Sequence, residues 1–583
     1  MSHDTSRARV SAEAPLELRR ESGRLETPRR LVDRLTQALS ELGVEHAFGL
    51  IGGANAPFVD ALGRSAIHVT HCRHEGGAAF AATEASLVSG RPALVFATTG
   101  PGILNALNGL AAARWEGARV ILVSGITSAA QRGRWAAQET SAFTLPPSGI
   151  FSEGPLFDYA TVVEDVAELE NIATRLALGL QRPQGFIAHI ALPIAMQGAL
   201  RPEYVTVPEV SLALPSCSAS DVAQCRQLLP PGKFVIWLGF GARHAGKAVL
   251  ELAERAEAHV LATPRAKGTF PEDHPLYLGT TGMGGHEGIS ERLRTLAPQR
   301  ALVLGTKLGE GSSFWSSALV PEGGFVHVDL DPGVPGAAYS GVPTAAVQAE
   351  ISGFVEALLA EYPPAARRFV PPVRSMQRLV ARPGLVRAAF LMQEVQGIVV
   401  DGSDAVVMAE SGNAFAWASQ SLCFREPGRY RVSTGFGSMG HFAAGAVGAA
   451  IARGGKVVAI VGDGSMLMNN EVSTAVQYAA PVVWIVLNDG GYGMVDHAMR
   501  ASGFSPVGTR FPKVDFAGAA RAMGAHGRVV TMEGELAEHL RGALAVPGPC
   551  VVDVAVDPDE PSPVLARVKS LMKQGKESIE GEQ

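Results

Sequence analysis

Apolar and polar positions along the chain follow two alternating patterns. Near the start, RLVDRLTQALSELGV repeats apolar residues at the spacing of an amphipathic helix, and the apolar run HAFGLI follows it. Further runs typical of strands are AIHVTHC, PALVFATT, RVILVSG and FIAHIAL, separated by helical or Gly-rich segments. This alternation of strands and helices predicts a mostly parallel, doubly wound α/β sheet.

The same pattern occurs twice more, each time after a connector rich in proline. The second unit contains KFVIWLGF, AHVLAT, RALVLGT and FVHVDLD, and the third contains AVVMAE, KVVAIVGDGS, VVWIVLND and CVVDVAV. We therefore expect three α/β domains, each a doubly wound parallel sheet. The expected limits are residues 29–198, 219–362 and 385–558, with a disordered arm at 1–28 and a helix and tail at 559–583.

Length and composition agree with this organisation. A chain of 583 residues is too long for one hydrophobic core, and 47% hydrophobic with 18% charged residues is ordinary for a compact soluble protein. The net charge of −6 gives no reason to expect nucleic acid as a partner. No apolar run approaches the length of a membrane span, so we expect no membrane partner either.

Cysteine usage and the first residues bear on location. The five cysteines are odd in number and widely spaced, without metal-ligand spacing. Residues 1–28 mix Arg with Glu and lack an apolar run, so we expect neither a secretory signal nor a mitochondrial presequence. A reduced protein of the cytoplasm is the expectation.

Two aspartates follow apolar strands in the third unit. Asp463 lies between Gly462 and Gly464 after VVAIV, and Asp489 follows VVWIVLN, 26 residues later. The carboxyl ends of parallel strands meet at one edge of a sheet, where ligands bind. Two carboxylates and a backbone carbonyl suit magnesium that also holds a diphosphate, and glycines let backbone amides approach phosphates. A Gly-Asp-Gly turn without a ligand is the alternative that the tripeptide alone leaves open.

The segment VVAIVGDGSMLMNNEVSTAVQYAAPVVWIVLNDGGYG resembles the metal motif of thiamine-diphosphate enzymes, in the branch of the acetohydroxyacid and acetolactate synthases. The resemblance covers about residues 29–560 and implies pyrimidine-binding, central and diphosphate-binding domains in chain order. It implies thiamine diphosphate and Mg²⁺ as cofactors. The metal ligands so implied are Asp463, Asp489 and the carbonyl of Gly491, and the residues of the diphosphate turn are Gly462, Gly464 and Ser465. The family more commonly has asparagine where Asp489 stands.

A second resemblance lies in RHEGGAAFAATEAS, where Glu75 matches the essential glutamate of the family. Its carboxyl would hydrogen-bond the aminopyrimidine ring, so that the imino tautomer can remove the thiazolium proton. The alternative is a glutamate that only complements the start of a helix.

Three further segments resemble cofactor contacts. In STGFGSMGHFAAGAVGAAIA, Met439 would support the bent cofactor and the Gly437 carbonyl would accept from the 4′-amino group. An ordinary core methionine is the alternative for Met439. In ESGN, which runs from Glu410 to Asn413, the asparagine would contact the diphosphate. Gly52 and Gly53 in GLIGGAN complete the cofactor-binding residues that the resemblance implies.

Departures from the family's simple decarboxylases indicate the reaction. Those enzymes carry proton-donating acids where Gly53 and Val495 stand here, so carbon–carbon ligation is favoured over release of an aldehyde. Gln138, in AQETSAF, would act on the intermediate or on the acceptor. The resemblance thus implies a carboligase that decarboxylates a 2-oxo acid, pyruvate foremost, and adds the acyl anion to a carbonyl acceptor.

Bulky or charged groups of the synthases are missing on the acceptor side. Ala137 stands for Phe, Ala498 for Trp, and residues 156–158 (Leu-Phe-Asp) for Lys-His-Asn, which predicts a wider pocket and a larger acceptor. A decarboxylase, a 2-hydroxyacyl lyase and a flavin-linked pyruvate oxidase are the alternative enzymes. A non-enzymatic regulatory homologue is disfavoured because Glu75 and both aspartates are intact.

The middle unit resembles the FAD-bearing domain of the synthases. Arg243, residues 282–285 and Asp329 would touch a flavin, but GTKLGEGSSF replaces the arginine-containing segment expected there. A bound FAD, another bound nucleotide and an empty domain therefore all stay open. The resemblance also implies a homo-oligomer, dimer or tetramer, and Glu471 is expected to buttress the cofactor site.

Overall fold

The predicted apolar runs are strands of three six-stranded sheets, and all of their pairings are parallel. The computed structural model describes residues 29–141, 144, 150–201, 203–365, 369, 378–468, 470–563 and 568–571. The α/β class with three doubly wound sheets is confirmed. The arm predicted at 1–28 lies outside the described residues, as do parts of the helix and tail predicted at 559–583.

The first sheet has the strand order β2-β1-β3-β4-β6-β5. Its strands are β1 (His46–Gly49), β2 (His68–His71), β3 (Ala93–Ala97), β4 (Arg119–Ile126), β5 (Tyr159–Val162) and β6 (Phe186–Pro193). Its helices are α1 (Leu31–Glu41), α2 (Ala56–Gly63), α3 (Glu75–Ser89), α4 (Pro101–Glu116), α5 (Leu169–Leu180) and α6 (Ile194–Gln197). The order reverses between β1 and β3, which opens a crevice at their carboxyl ends.

The middle sheet has the order β12-β11-β10-β7-β8-β9. Its strands are β7 (Phe234–Leu238), β8 (His259–Ala262), β9 (Tyr277–Thr280), β10 (Arg300–Leu304), β11 (Phe325–Asp329) and β12 (Thr344–Gln348). Its helices are α7 (Ala219–Leu228), α8 (Gly246–Ala256), α9 (Ile289–Leu296), α10 (Glu310–Ser313) and α11 (Ile351–Ala360).

The last sheet has the order β14-β13-β15-β16-β18-β17, with its reversal between β13 and β15. Its strands are β13 (Val406–Ala409), β14 (Tyr430–Val432), β15 (Val457–Gly462), β16 (Val482–Asn488), β17 (His526–Val530) and β18 (Cys550–Ala555). Its helices are α12 (Ala388–Val395), α13 (Asn413–Ser421), α14 (His441–Arg453), α15 (Asp463–Met466), α16 (Val472–Gln477), α17 (Gly493–Ala501), α18 (Phe516–Ala522) and α19 (Leu536–Ala545).

Helices α3 and α14 join the first and last domains. A Cβ atom added to Gly448 would lie 2.0 Å from the Ala81 carbonyl oxygen, so the two helix backbones approach very closely. Between them, Arg431 pairs with buried Glu84 through two hydrogen bonds of 2.8 and 2.9 Å. The first and last domains of one chain therefore pack against each other through α3 and α14.

No helix in the described parts of the chain combines the length and the apolar character that crossing a lipid bilayer requires.

Candidate active site

The two aspartates of the third unit meet at the carboxyl edge of the last sheet. Asp463 follows β15 and Asp489 follows β16, which is hydrogen-bonded to β15 in parallel register. The Asp463 carboxylate accepts hydrogen bonds from the amides of Gly490 at 2.7 Å and Gly491 at 3.1 Å. The loop after β16 is thereby fixed beside the turn after β15.

Both carboxylates are held in a place that disfavours a negative charge. Burial, with Asp489 nearby, raises the pKa of Asp463 to about 6. Burial also raises the pKa of Asp489, while Arg510 and His497 oppose that shift. In the described part of the chain, no three His, Cys, Asp or Glu side chains form a group that could hold a metal ion. A cation here would need these two aspartates together with oxygen atoms of the backbone and of a ligand.

A cavity of about 220 Å³ opens beside these aspartates, and we call it the Asp463 cavity. It gathers most of the residues that the resemblance implied for the diphosphate and the metal. These are Asn413, Met439, Gly462, Asp463, Gly464, Ser465, Asp489 and Gly491. Tyr492, Met494, Val495 and His497 also line it.

The floor of the Asp463 cavity depends on a glycine that the sequence did not single out. A Cβ atom on Gly493 would lie 2.2 Å from the Asp489 Oδ2 atom and 2.8 Å from the Asn413 Nδ2 atom. The Oδ1 atom of Asn413 is buried and has no hydrogen-bond partner within the described residues. A buried polar atom of this kind is costly unless a ligand satisfies it.

The Met439 loop, residues 433–440, forms one wall of the Asp463 cavity. Gly437 has φ +62°, a backbone conformation that favours glycine, and its amide donates to the Ser433 hydroxyl at 3.3 Å. A Cβ atom on Gly464 would lie 3.4 Å from the terminal methyl of Met439, which places the methionine against the Gly-Asp-Gly turn. Gly437 itself does not line the cavity.

Glu410 lies behind this wall rather than in the cavity. Its fully buried carboxyl accepts hydrogen bonds from the amides of Phe442 at 2.9 Å and Ala443 at 3.1 Å, in the first turn of α14. Burial raises its pKa. Its position fits the holding of α14 better than contact with a ligand.

Glu75 is the first residue of α3 and is nearly buried. Its carboxyl accepts a hydrogen bond from the Asn105 side chain at 3.1 Å. A Cβ atom on Gly102 would lie 3.0 Å from the Glu75 Oε1 atom, so α4 passes close to the carboxyl. Glu75 lines neither of the two cavities described for this chain.

Glu471 of the last domain holds the chain just before Glu75. Its buried carboxyl accepts from the amide of Arg73 at 2.9 and 3.1 Å and from the amide of His74 at 3.1 Å. Burial raises its pKa to about 6. Glu471 was expected to support the cofactor site, and these contacts indicate how it would do so: it fixes the backbone that leads into Glu75.

A second cavity of about 440 Å³, the Gln138 cavity, lies in the first domain. It is built at the carboxyl ends of β1, β3, β4 and β6. Its lining consists of Gly53, Ala54, Thr98, Thr99, Thr127, Ser128, Gln131, Ala136, Ala137, Gln138 and Ile194. Gly52 lies just outside, where its amide donates to the Asn55 side chain at 2.8 Å.

Gln138 is held in a strained conformation. Its φ of +56° lies in the left-handed region, which is uncommon for a residue with a side chain. The Thr99 hydroxyl donates to its Oε1 atom at 3.3 Å, and the Gly100 amide donates to the Thr140 hydroxyl at 2.9 Å. The Nε2 atom of Gln138 makes no hydrogen bond within the described residues, so a donor is left for a ligand.

The residues expected to touch a flavin are occupied by contacts within the protein. Arg243 stacks at 4.3 Å over the Phe240 ring, and burial lowers its pKa to about 10. A Cβ atom on Gly284 would lie 2.6 Å from a backbone carbonyl of α13, so that turn packs against the last domain. Asp329 accepts a hydrogen bond from a backbone amide at 3.0 Å. Neither cavity is lined by a residue of the middle domain.

Comparison with known families matches all three domains. Residues 29–145 match the thiamine pyrophosphate enzyme N-terminal TPP binding domain, 228–358 its central domain and 410–554 its C-terminal TPP binding domain.

Similar proteins agree with these matches. The chain is 27% identical to the acetolactate synthase isozyme 1 large subunit of Escherichia coli, over 92% of this chain and 96% of the relative. It is 29% identical to an acetolactate synthase of Arthrospira platensis, over 90% of this chain and 94% of the relative.

Among solved structures, a thiamine diphosphate-dependent 4-hydroxybenzoylformate decarboxylase of Rhodococcus jostii superposes with a TM-score of 0.80. Its sequence is 23% identical, over 91% of this chain and 100% of that one, which shows a shared fold. The domain matches and the full-length relatives together lead to one assignment: the chain belongs to the acetolactate-synthase-like group of the thiamine pyrophosphate enzyme family.

Proposed function

We propose that this enzyme is a thiamine-diphosphate- and magnesium-dependent carboligase. The bond between C1 and C2 of a 2-oxo acid, pyruvate foremost, breaks and CO₂ leaves. C2 forms a new bond to the carbonyl carbon of an acceptor, whose oxygen takes up a proton, and the product is a hydroxy-ketone. The reaction consumes no oxidant and no reductant, so it requires no flavin.

The chemistry of the Asp463 cavity fits both cofactors. Asp463 is buried and Asp489 is half-buried, and burial raises the pKa of both carboxyls, so a divalent cation would stabilise their charged forms. The Asn413 side chain lines this cavity, where its Nδ2 group can donate to a diphosphate and its unpartnered Oδ1 atom can accept from a bound ligand. When bound, thiamine diphosphate supplies the electron sink for loss of CO₂, and Mg²⁺ holds its diphosphate.

The remaining residues bind, orient and move protons. Met439 offers an apolar support beside the metal turn, and Glu75 offers a nearly buried carboxyl for proton exchange with a bound aminopyrimidine. Gln138 has a free amide donor that can bind the carbonyl oxygen of the acceptor. Its strained backbone keeps that donor in one orientation.

The observation that carries ligation over simple decarboxylation is the absence of acids at two positions. Gly53 lines the Gln138 cavity, with no atom within 4 Å of where its Cβ would be. Val495 lines the Asp463 cavity and is half exposed. Neither residue can donate the proton that releases an aldehyde, which favours transfer of the acyl unit to a carbonyl acceptor. Two other acids, Asp557 and Glu560, line the Asp463 cavity, and Glu560 accepts hydrogen bonds from the amides at the start of α12.

The test compares pyruvate alone with pyruvate plus a ketone or aldehyde acceptor. Pyruvate alone should give slow CO₂ release with acetaldehyde as a minor product, and an acceptor should speed consumption and give a hydroxy-ketone. Gln138→Ala should lower the ligation rate by about tenfold or more while CO₂ release falls less, because a donor to the acceptor is lost. Quantitative conversion of pyruvate to acetaldehyde at full speed, with every acceptor, would identify a decarboxylase instead.

We also propose that the enzyme acts as a homodimer or homotetramer in the cytoplasm. Support for a reducing compartment comes from the cysteines, since Cys72, Cys217, Cys225 and Cys550 form no disulfide in the described parts of the chain. FAD is left outside the proposed reaction, because ligation of an acyl unit to a carbonyl needs no redox cofactor and neither the Asp463 cavity nor the Gln138 cavity is lined by a described residue of the middle domain.

A further inference from the structure

The Gln138 cavity has an uncharged lining. All of the described residues that line it are glycine, alanine, threonine, serine, glutamine or isoleucine. A substrate group that enters this cavity meets hydroxyls, amides and methyl groups.

The charges beside the cavity do not favour an anion. Glu139 follows Gln138, and hydrogen bonds from the Ser141 hydroxyl at 2.6 Å and the Gly133 amide at 2.8 Å lower its pKa. It therefore carries a negative charge at neutral pH. Arg132 donates to the Thr127 carbonyl through Nε at 3.0 Å and pairs with Glu164 through Nη1 at 2.6 Å, which balances its charge. Its Nη2 atom is buried without a hydrogen-bond partner among the described residues, and Arg132 is not one of those that line the cavity.

The two substrates of a carboligase meet this environment differently. A 2-oxo acid donor brings a carboxylate, but that group leaves as CO₂ before the acceptor is bonded. An acceptor keeps all of its groups until the product departs. An acceptor with a carboxylate would place an anion near the negative charge of Glu139, with no cation among the described lining residues to balance it.

We propose that the Gln138 cavity takes an uncharged carbonyl compound, an aldehyde or ketone without a carboxylate, as the acceptor. This inference rests on the carboligase function proposed above and narrows its second substrate. The Gln138 amide donates to the acceptor oxygen, which takes up the proton when C2 of the donor bonds to the acceptor carbon. Thr98, Thr99 and Ser128 supply hydroxyls for further polar but neutral groups of that acceptor.

The first experiment measures ligation by the holoenzyme with pyruvate as donor and two acceptors of similar size. Butane-2,3-dione is neutral and 2-oxobutyrate carries a carboxylate. We expect kcat/KM for ligated product, identified by mass, to be about tenfold or more higher for butane-2,3-dione. Equal or better ligation of 2-oxobutyrate overturns the proposal.

A charge series at Gln131 tests the cause, since this exposed residue lines the cavity. Gln131→Lys should raise the ratio of 2-oxobutyrate to butane-2,3-dione ligation about tenfold, and Gln131→Glu should lower it. The wild-type glutamine serves as the neutral control of similar length. A ratio that does not respond to either charge contradicts the electrostatic explanation.

A binding experiment with ligands that cannot act as donors tests the cavity proposal independently of the proposed reaction. Butanone and propanoate have similar shapes, differ in charge, and are not 2-oxo acids, so neither can act as donor. Saturation-transfer NMR on the holoenzyme should detect butanone and not propanoate, and propanoate should gain a signal in Gln131→Lys. If butanone binds and propanoate does not, but no acceptor is ligated, the carboligase function is wrong and the preference of the cavity for neutral ligands is supported. If propanoate and butanone give equal signals with the wild type, the cavity proposal is overturned.

Discussion

At the scale of single residues, Glu75 is the sharpest test of the chemistry. Glu75→Gln keeps the size and the hydrogen bond with Asn105 but removes the ionisable proton. We expect turnover to fall by about 10²- to 10⁴-fold, because proton exchange with the cofactor is lost. Calorimetry should find unchanged affinity for thiamine diphosphate with Mg²⁺, and circular dichroism an unchanged fold. Near-wild-type turnover would refute the proposed role.

The metal ligands give a second residue-scale prediction. Asp463→Ala and Asp489→Ala should each weaken retention of thiamine diphosphate by about a hundredfold, because the diphosphate is held through a shared cation. Asp489→Asn is the matched control, since it keeps an oxygen ligand and should be tolerated. Equilibrium dialysis at fixed Mg²⁺ measures retention. Affinity that is the same with and without magnesium would contradict the metal site.

The sequence located these residues because each follows a strand in a recognisable motif. Asp463, Asp489, Asn413 and Met439 do line one cavity. Glu471 could be assigned only a general supporting role, because it acts through backbone amides nearly 400 positions away in the sequence. No side-chain pattern in a sequence signals a contact of that kind.

At the scale of elements, the strands that the sequence pattern did not predict are all edge strands. β5, β9, β12, β14 and β17 each lie at an edge of a sheet. Central strands such as β15 are buried along almost their whole length and appear as continuous apolar runs. Edge strands such as β17 (HGRVV) are partly exposed and lack such runs, so periodicity and composition do not reveal them.

The junction of α3 with the Met439 loop gives an element-scale prediction. Arg431, just before the loop, pairs with Glu84 of α3, and His441, just after it, contacts the same carboxylate at 2.9 Å. Burial alone would raise the pKa of Glu84, but Arg431 and His441 outweigh it and hold that pKa near 2. Glu84→Gln should destabilise the protein by about 3 kcal/mol, because buried Arg431 loses its nearer carboxylate and keeps only Glu116, at 3.4 Å.

Thermal unfolding measured as a function of pH tests whether Glu84 stabilises the fold in its ionised form. The folded pKa of Glu84, about 2, lies below its ordinary value, so its stabilisation is present above that value and is lost as pH falls toward 2. The gap between wild type and Glu84→Gln should therefore narrow in acid. Glu170→Gln is the control, since Glu170 is half exposed in its pair with Arg201 and should cost about 1 kcal/mol at most. Equal losses in both variants would argue against the buried junction.

At the scale of the whole molecule, the residues predicted for the active site lie at separate places in a single chain. The Asp463 cavity contains only residues of the last domain, and the Gln138 cavity only residues of the first. Glu75 lines neither of them. Large apolar side chains of both domains are exposed, including Trp135, which precedes Ala136 of the Gln138 cavity, at 91%, and Phe504, which follows α17, at 66%. Such exposure is typical of surfaces that a partner covers.

A second copy of the chain would complete the site, and we therefore predict at least a homodimer with its active sites between subunits. Sedimentation should find no active monomer. The decisive measurement mixes two inactive variants, Glu75→Gln and Asp463→Ala, by co-expression. If each site takes Glu75 from one chain and Asp463 from the other, every mixed dimer has one intact site, and random pairing should restore about a quarter of wild-type activity. If both groups serve one site within a single chain, no pairing creates an intact site and the mixture stays as inactive as its parents.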